Sequence, residues 1–207
     1  MKVERTLVVI DYGMGNLGSI MNMLKRIGAN AVLTSDIAVV EGAEKIILPG
    51  VGAFAKAMDN LSELDLLPIL NTKVIKEKVP FLGICLGMQL LSKTSEEGTS
   101  PGLGWIDAET KRFPVLNGFK IPHMGWNTVD IQRESKLFSN MYENPRFYFV
   151  HSYYVNCNRK EQELTTTQYA ITFCSSLEEA NIYGVQYHPE KSHKYGMKLL
   201  ENFVELC

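Results

Sequence analysis

The chain has 207 residues, 45% of them hydrophobic and 21% charged, with 9 Phe, 9 Tyr and 2 Trp; this supports a packed core and excludes a disordered polymer. Its 21 Lys and Arg against 23 Asp and Glu leave a formal charge of −2, which gives no electrostatic reason to expect nucleic acid or an anionic membrane as partner. No run approaches the roughly 18 apolar residues of a membrane span. The start Met1 to Arg5 leads into a short apolar run that Asp11 closes, so no secretory signal is expected. Cys85, Cys157, Cys174 and Cys207 are far apart and form no CxxC pair. A zinc site or a disulfide framework is therefore not expected, nor is any other metal or cofactor, and a reducing cytosol fits.

In chain order, Thr6 to Ile10 is a continuous apolar run, as in a strand buried on both faces. A glycine-rich turn, Asp11 to Gly18, precedes Ile20, Met23, Leu24 and Ile27 at helical spacing, with Gly28 as a stop. Ala31 to Leu33 and Lys45 to Leu48 predict the next two strands, and Asp65 to Lys78 predicts a helix. Pro80 to Ile84 predicts a fourth strand, with Leu86 to Leu91 opening another helix. Strands alternating with helices argue for an α/β, doubly wound, mostly parallel sheet with helices on both faces. The second half changes character. Trp105 to Phe113, Thr128 to Gln132, Phe147 to Asn156, Tyr169 to Ser175 and Ile182 to Tyr187 read as extra strands, partly antiparallel and joined to the same sheet. Leu199, Leu200, Phe203 and Val204 mark a final amphipathic helix. No repeat or linker divides the chain, so residues 1–207 are expected to form one domain.

Gly83-Ile84-Cys85-Leu86-Gly87 places a cysteine in the G-x-nucleophile-x-G pattern, where a strand ends and a helix begins. The sharp turn strains the backbone at Cys85 and leaves no room for side chains two residues to either side. The helix N-terminus favours a thiolate, and the Leu86 amide would point toward an oxyanion. The bland alternative is a small buried cysteine between packing glycines. A thiol nucleophile wants a histidine base with an orienting carboxylate. In His188-Pro189-Glu190 residues i and i+2 share a face of an extended chain, so the tripeptide supplies both groups. Of the other histidines, His151 reads as a satisfied core residue in an aromatic strand. His123 reads as a turn residue without a nearby acid, and His193 as a residue on the solvent face of the last helix.

Two glycine loops could bind a ligand. Pro49-Gly50-Val51-Gly52-Ala53-Phe54 follows the third strand, and its amides could hold an oxyanion or simply form a turn. Gly13-Met14-Gly15-Asn16-Leu17-Gly18 matches G-x-G-x-x-G between a strand and a helix, with Asp36 near the end of the second strand. That leaves a dinucleotide-binding protein as an alternative of a different class, although it explains neither Gly-x-Cys-x-Gly nor His-x-Glu.

Residues 83–89 (Gly-Ile-Cys-Leu-Gly-Met-Gln), His188-Pro189-Glu190 and Pro49-Gly50-Val51-Gly52 together resemble the triad, class I glutamine amidotransferases. Asp11 to Leu17, Pro122 to Asn127, Phe149 to Tyr154 and His188 to Ser192 narrow the resemblance to the glutaminase subunits of imidazole glycerol phosphate synthase, from histidine biosynthesis. The similarity spans essentially the whole chain. It implies that Cys85 attacks the side-chain amide of L-glutamine while His188, oriented by Glu190, moves the proton, and that water then releases glutamate. It implies an oxyanion held by the Leu86 amide and by an amide of Gly50, Val51 or Gly52 after a peptide rotation that a partner triggers. It implies that Gln89, Glu97 and Ser152 hold glutamine, and that His123, Met124, Trp126, Asn127, Tyr148 and Lys191 lie at or near a partner interface. The implied partner is a separate TIM-barrel cyclase subunit in a heterodimer. Ammonia released into water near neutral pH would be protonated and lose its nucleophilicity, so direct transfer is expected. One segment departs from the pattern. His193-Lys194-Tyr195-Gly196-Met197 replaces the smaller residues expected there and looks more like paralogues that feed ammonia to synthases aminating surface sugars.

Overall fold

The computed structural model describes residues 6–207. The first five residues, Met1 to Arg5, on which the reading of the N-terminus rests, lie outside the described residues. The first half alternates as the apolar runs predict: β1 (Leu7–Ile10), α1 (Leu17–Arg26), β2 (Ala31–Thr34), α2 (Ile37–Glu41), β3 (Lys45–Gly50), α3 (Phe54–Glu63), α4 (Leu66–Asn71), β4 (Phe81–Cys85) and α5 (Leu86–Gln89). The second half is β5 (Thr94–Ser95), β6 (Ala108–Arg112), β7 (His123–Thr128), β8 (Asp130–Ile131), β9 (Arg146–His151), β10 (Tyr153–Cys157), β11 (Glu163–Tyr169), β12 (Ile171–Glu179), β13 (Ile182–Val185) and α6 (His193–Leu206).

The main sheet has 11 strands with the path β2-β1-β3-β4-β13-β12-β10-β6-β5, and β11 and β8 pair off it beside β12. Strands β2, β1, β3, β4 and β13 are parallel neighbours, whereas β12, β10 and β6 add antiparallel pairs. Because side chains alternate along a strand, the central strands feed two cores. Val8, Ile10, Ile46, Leu48 and Phe81 join α3 and α4 on one face, packing on Phe54, Ala57, Leu61 and Leu70. Leu7, Val9, Ile47, Leu82 and Ile84 face the other way, onto Ile20 and Leu24 of α1 and Leu199, Leu200 and Phe203 of α6. The α/β architecture with helices on both faces and extra antiparallel strands is therefore observed.

Several predicted boundaries are corrected. The helix expected over Asp65 to Lys78 stops at Asn71 and widens into a π turn over Thr72–Lys76, where the buried Lys73 ammonium reaches the Glu41 carbonyl and the Glu77 carboxylate. Helix α3 was not expected, although Phe54, Ala57 and Leu61 carry its apolar stripe. The strand expected over Phe147 to Asn156 breaks at Ser152 into β9 and β10, which lie in different sheets. β9 pairs with β7 in a two-stranded sheet of its own, so not every extra strand joins the main sheet, and His123 is a strand residue rather than a turn residue. The strand expected over Tyr169 to Ser175 begins two residues later, as β12 from Ile171: Tyr169 closes β11, and Ala170, at a positive φ of 55°, is the hairpin turn between the two.

The turn from β4 to α5 depends on its glycines. A Cβ on Gly87 would lie 1.9 Å from the Leu48 carbonyl oxygen, in backbone that cannot yield. Gly18 is the opposite case, with nothing within 4 Å of the place its Cβ would occupy. In urea denaturation Gly87→Ala is expected to destabilise the fold by about 2–3 kcal/mol. Gly18→Ala, inside α1, is expected to stabilise it by about 0.5–1 kcal/mol.

Candidate active site

Three parallel strands end side by side. Gly50 at the end of β3 pairs with Cys85 at the end of β4, and Val185 at the end of β13 pairs with Ile84. The chain then leaves β13 through Gln186, Tyr187 and His188. This register brings the Pro49 loop, the cysteine and the His-x-Glu segment to one edge.

Cys85 has φ 55° and ψ −108°, a left-handed conformation that a non-glycine residue holds only when its surroundings enforce it. It sits immediately before α5 and is 6% exposed. The His188 Nδ1 lies 2.8 Å from Glu190 Oε1, with both side chains buried. The backbone N–H of His188 donates to the Tyr148 carbonyl at 2.9 Å, and its carbonyl accepts from the Ser192 hydroxyl, so the imidazole is carried on a fixed backbone. Its Nε2 is buried and makes no ordinary hydrogen bond; it faces the Cys85 sulfur as its electrostatic neighbour. Burial opposes a charge on this ring, but the Cys85 sulfur and the Glu190 carboxylate outweigh it and push the pKa up to about 10. Thiol, imidazole and carboxylate are thus arranged so that a proton taken from sulfur can rest on a ring that the carboxylate stabilises.

Cys85 opens into a cavity of about 330 Å³ whose wall includes Val51, Gly52, Leu86, Gln89, Glu97 and Ser152. All three residues expected to hold glutamine therefore line one hollow. Gln89 is buried; its amide nitrogen donates to the Tyr153 carbonyl at 3.0 Å and to Gln186 Oε1 at 3.1 Å. Glu97 Oε2 accepts from the Phe54 amide at 2.9 Å and so fastens the start of α3 to the cavity rim. Of the expected oxyanion segment, Val51 and Gly52 reach the cavity, with Gly52 at φ +113°, while Gly50 is buried behind them against the Tyr12 hydroxyl.

Reading the sequence missed Gln186. It is fully buried, and its amide nitrogen donates to the Cys85 sulfur at 3.7 Å. The available signal was its place two residues before His188, which puts both on one face of an extended chain.

The residues expected near a partner separate into two groups. Met124 and Trp126 on β7 are 61% and 45% exposed. Asn127 and Tyr148 are half-buried, and the exposed Lys191 holds its ammonium 5.7 Å from the Tyr148 ring centre. His123 does not belong with them. It is buried, stacked on Phe149 and Tyr169, and bonded to His151, because its side chain projects from the inner face of the same strand. His151 is the satisfied core histidine expected, yet it also lines the cavity. His193 is exposed at the start of α6 and stacks on Trp126 at 5.6 Å.

The glycine loop after β1 does not look like a pyrophosphate site. The hollow beside it is lined by Asp11, Gly13, Asn60 and Glu63, so two carboxylates would oppose an anion. Gly18 is not needed for helix packing, and Asp36 caps α2 through the Ala38 amide.

Residues 8–207 match the family model for class-I glutamine amidotransferases. The chain belongs to that family. It is a glutamine-hydrolysing amidotransferase. A Methanococcus maripaludis protein named imidazole glycerol phosphate synthase subunit HisH 2 is 57% identical over 96% of this chain and 98% of its own. A Pseudomonas aeruginosa protein of the same name is 48% identical over 97% of this chain and 99% of its own. Among solved structures, a glutamine amidotransferase from Thermotoga maritima superposes with a TM-score of 0.72 at 17% identity, covering 98% of this chain and 97% of that one, which supports the fold alone. Among the described residues no helix is long and apolar enough to cross a membrane.

His151 is held neutral: burial, and lesser effects of His123 and His188, take its pKa down to about 3. Its folded pKa lies below the unfolded value of 6.5, so its contribution to stability is full above that value and is lost as the pH falls toward 3. Between pH 7 and pH 5 the urea-unfolding free energy is expected to drop by about 2 kcal/mol from this ring, and His151→Phe should flatten that slope.

Proposed function

We propose that the chain is the glutaminase subunit of an imidazole glycerol phosphate synthase: it hydrolyses L-glutamine and passes the ammonia directly to a separate cyclase subunit of TIM-barrel type. Cys85 in the wall of a cavity of about 330 Å³, with the buried His188–Glu190 pair acting on it from behind, carries this reading. The sulfur of Cys85 attacks the side-chain carbonyl carbon of glutamine. The tetrahedral oxyanion is held by the amide of Leu86 and by an amide of the Gly50-Val51-Gly52 segment. The imidazolium of His188 gives its proton to the departing nitrogen, the C–N bond breaks, and ammonia leaves behind a glutamyl thioester. Water attacks the thioester as neutral His188 takes its proton, the C–S bond breaks, and glutamate leaves with the thiol restored. Glu190 keeps Nδ1 of the ring protonated and aimed throughout. Gln89, Glu97 and Ser152 hold the amino-acid end of the substrate. One domain over residues 1–207 houses all of these groups.

The exposed Met124 and Trp126, with Asn127, Tyr148 and Lys191, form the docking face for the cyclase in a one-to-one heterodimer. That face is mechanically close to the chemistry, because Tyr148 bonds the backbone of His188 directly. Neither a cofactor nor a nucleic-acid partner enters this scheme, and the place of action is the cytosol. One observation favours a second reading, in which the acceptor is a sugar-aminating synthase. The departing segment 193–197 reshapes the docking face: His193 stacks on Trp126, and the Lys194 ammonium lies 4.6 Å from the Tyr142 ring and 5.1 Å from the Tyr195 ring.

Glutamate release from L-glutamine should rise strongly when the cyclase subunit from the same source and its ribonucleotide are added. Cys85→Ala should reduce that release at least about 10³-fold with folding and cyclase binding unchanged. Hydrolysis that persists in Cys85→Ala removes the nucleophile assignment. Labelling of Cys85 by a glutamine-mimicking chloroketone without cyclase stimulation keeps the glutaminase and transfers the partner to the second reading.

A further inference from the structure

Two buried histidines remain that the hydrolytic scheme does not use. His123 Nδ1 and His151 Nε2 are 3.0 Å apart, and each ring has a second partner. On the inner side His151 Nδ1 is 2.7 Å from the Tyr153 carbonyl. On the outer side His123 Nε2 is 3.3 Å from the amide nitrogen of Asn127, next to the exposed Trp126.

The backbone anchors fix the direction of every link. A carbonyl oxygen only accepts, so His151 carries its proton on Nδ1 and, as a neutral ring, accepts at Nε2. His123 must then donate from Nδ1 and accept at Nε2. Asn127 is already oriented to supply that donor: its oxygen accepts from the Thr128 amide and its nitrogen donates to the Gln168 carbonyl. On the other side of the Tyr153 carbonyl the same logic continues. That oxygen also receives the Gln89 amide nitrogen, which donates in addition to Gln186 Oε1. The orientation of the Gln186 amide is thereby fixed, and its nitrogen is left to donate to the Cys85 sulfur. A chain of hydrogen bonds, meeting at the Tyr153 carbonyl, runs from the exposed face to the nucleophile. No link in it can be reversed alone without placing two donors or two acceptors against each other.

We propose that His123 and His151 are positioning residues for glutamine hydrolysis, fixing through the Tyr153 carbonyl and the Gln89–Gln186 amide pair the hydrogen bond that holds the Cys85 sulfur. The proposal rests on the reading of Cys85 as the nucleophile. It also gives the docking face a second physical route to the site, beside the backbone bridge from Tyr148 to His188: displacement of Asn127 alters the outermost link of the chain.

His123 does not line the cavity, so an effect of its substitution on turnover must pass through His151. The test is steady-state glutamine hydrolysis by the full chain with saturating cyclase subunit and ribonucleotide. His123→Phe keeps the stack on Phe149 and Tyr169 and removes both nitrogens; kcat is expected to fall about tenfold with KM within about twofold. His123→Asn, which restores a donor at the Nδ1 position, is expected to recover most of the loss. Gln186→Met breaks the chain at its sulfur end, and the double variant with His123→Phe should lose less than the product of the two single losses. Wild-type constants in His123→Phe, a loss that Asn does not recover, or independent losses in the double variant would each overturn the proposal. If His123→Phe does not fold, as read by its thermal transition, Asn127→Ala substitutes for it from a half-buried position. A two- to threefold loss of kcat at saturating partner is then expected, and no loss overturns the proposal. The wild-type control separates the two readings: absence of chloroketone labelling at Cys85 there means that the nucleophile assignment has failed, not the chain.

Discussion

The register of β3, β4 and β13 is the constraint on which the site depends. Parallel pairing places Gly50 opposite Cys85 and Ile84 opposite Val185, so three segments that are distant in sequence end at one edge. A register is strongly specified when both faces of a strand are buried, because a slip by one residue turns every core side chain to the wrong side. Here Ile46, Leu48 and Phe81 belong to one core, and Ile47, Leu82 and Ile84 to the other. The packing that stabilises the fold is thus the same packing that aligns the thiol with the imidazole. The positive φ of Cys85 is the local strain this alignment holds in place.

The central strands β1, β3 and β4 were legible because parallel strands buried on both faces are continuous apolar runs. The antiparallel side was legible only in part: β6, β8, β12 and β13 fall within or across expected strands, whereas β7 and β11 do not. Antiparallel strands such as β11, Glu163–Tyr169, carry mostly Thr, Gln and Glu, and they are held by partners such as β12 rather than by an apolar pattern of their own. β7, His123–Thr128, has a glycine at φ +128° and a single buried residue near its start, so periodicity could not find it. Its pairing with β9 is a tertiary fact. The break at Ser152 has the same origin: one aromatic run serves two sheets, and only their geometry says where it divides.

In the site, the groups that were legible are those whose chemistry is tied to local sequence. Cys85 needs glycines two residues to either side, and His188 has its carboxylate two residues on, so both were visible as short patterns. Gln186 and the His123–His151 pair were not visible, because their meaning comes from partners far along the chain. His123 shows the limit most plainly. It sits in a segment whose neighbours Met124 and Trp126 are exposed, yet strand alternation turns its ring inward.

The histidines also show why burial alone does not assign a role. His188, His151 and His123 are all buried, and in each case desolvation disfavours the charged ring. Only His188 has a carboxylate and the Cys85 sulfur beside it, and these reverse the outcome, taking its pKa up to about 10. Without such partners His151 is held at about 3 and His123 at about 4, so both are neutral near pH 7. A neutral imidazole has one donor and one acceptor, which is what a link in a directed chain requires; an imidazolium has two donors and would break it. In the proposed scheme the same side chain thus serves as a proton carrier at one position and as a fixed connector at two others. The difference lies in two neighbours that the other rings lack, the Cys85 sulfur and the Glu190 carboxylate, the second delivered by the same tripeptide.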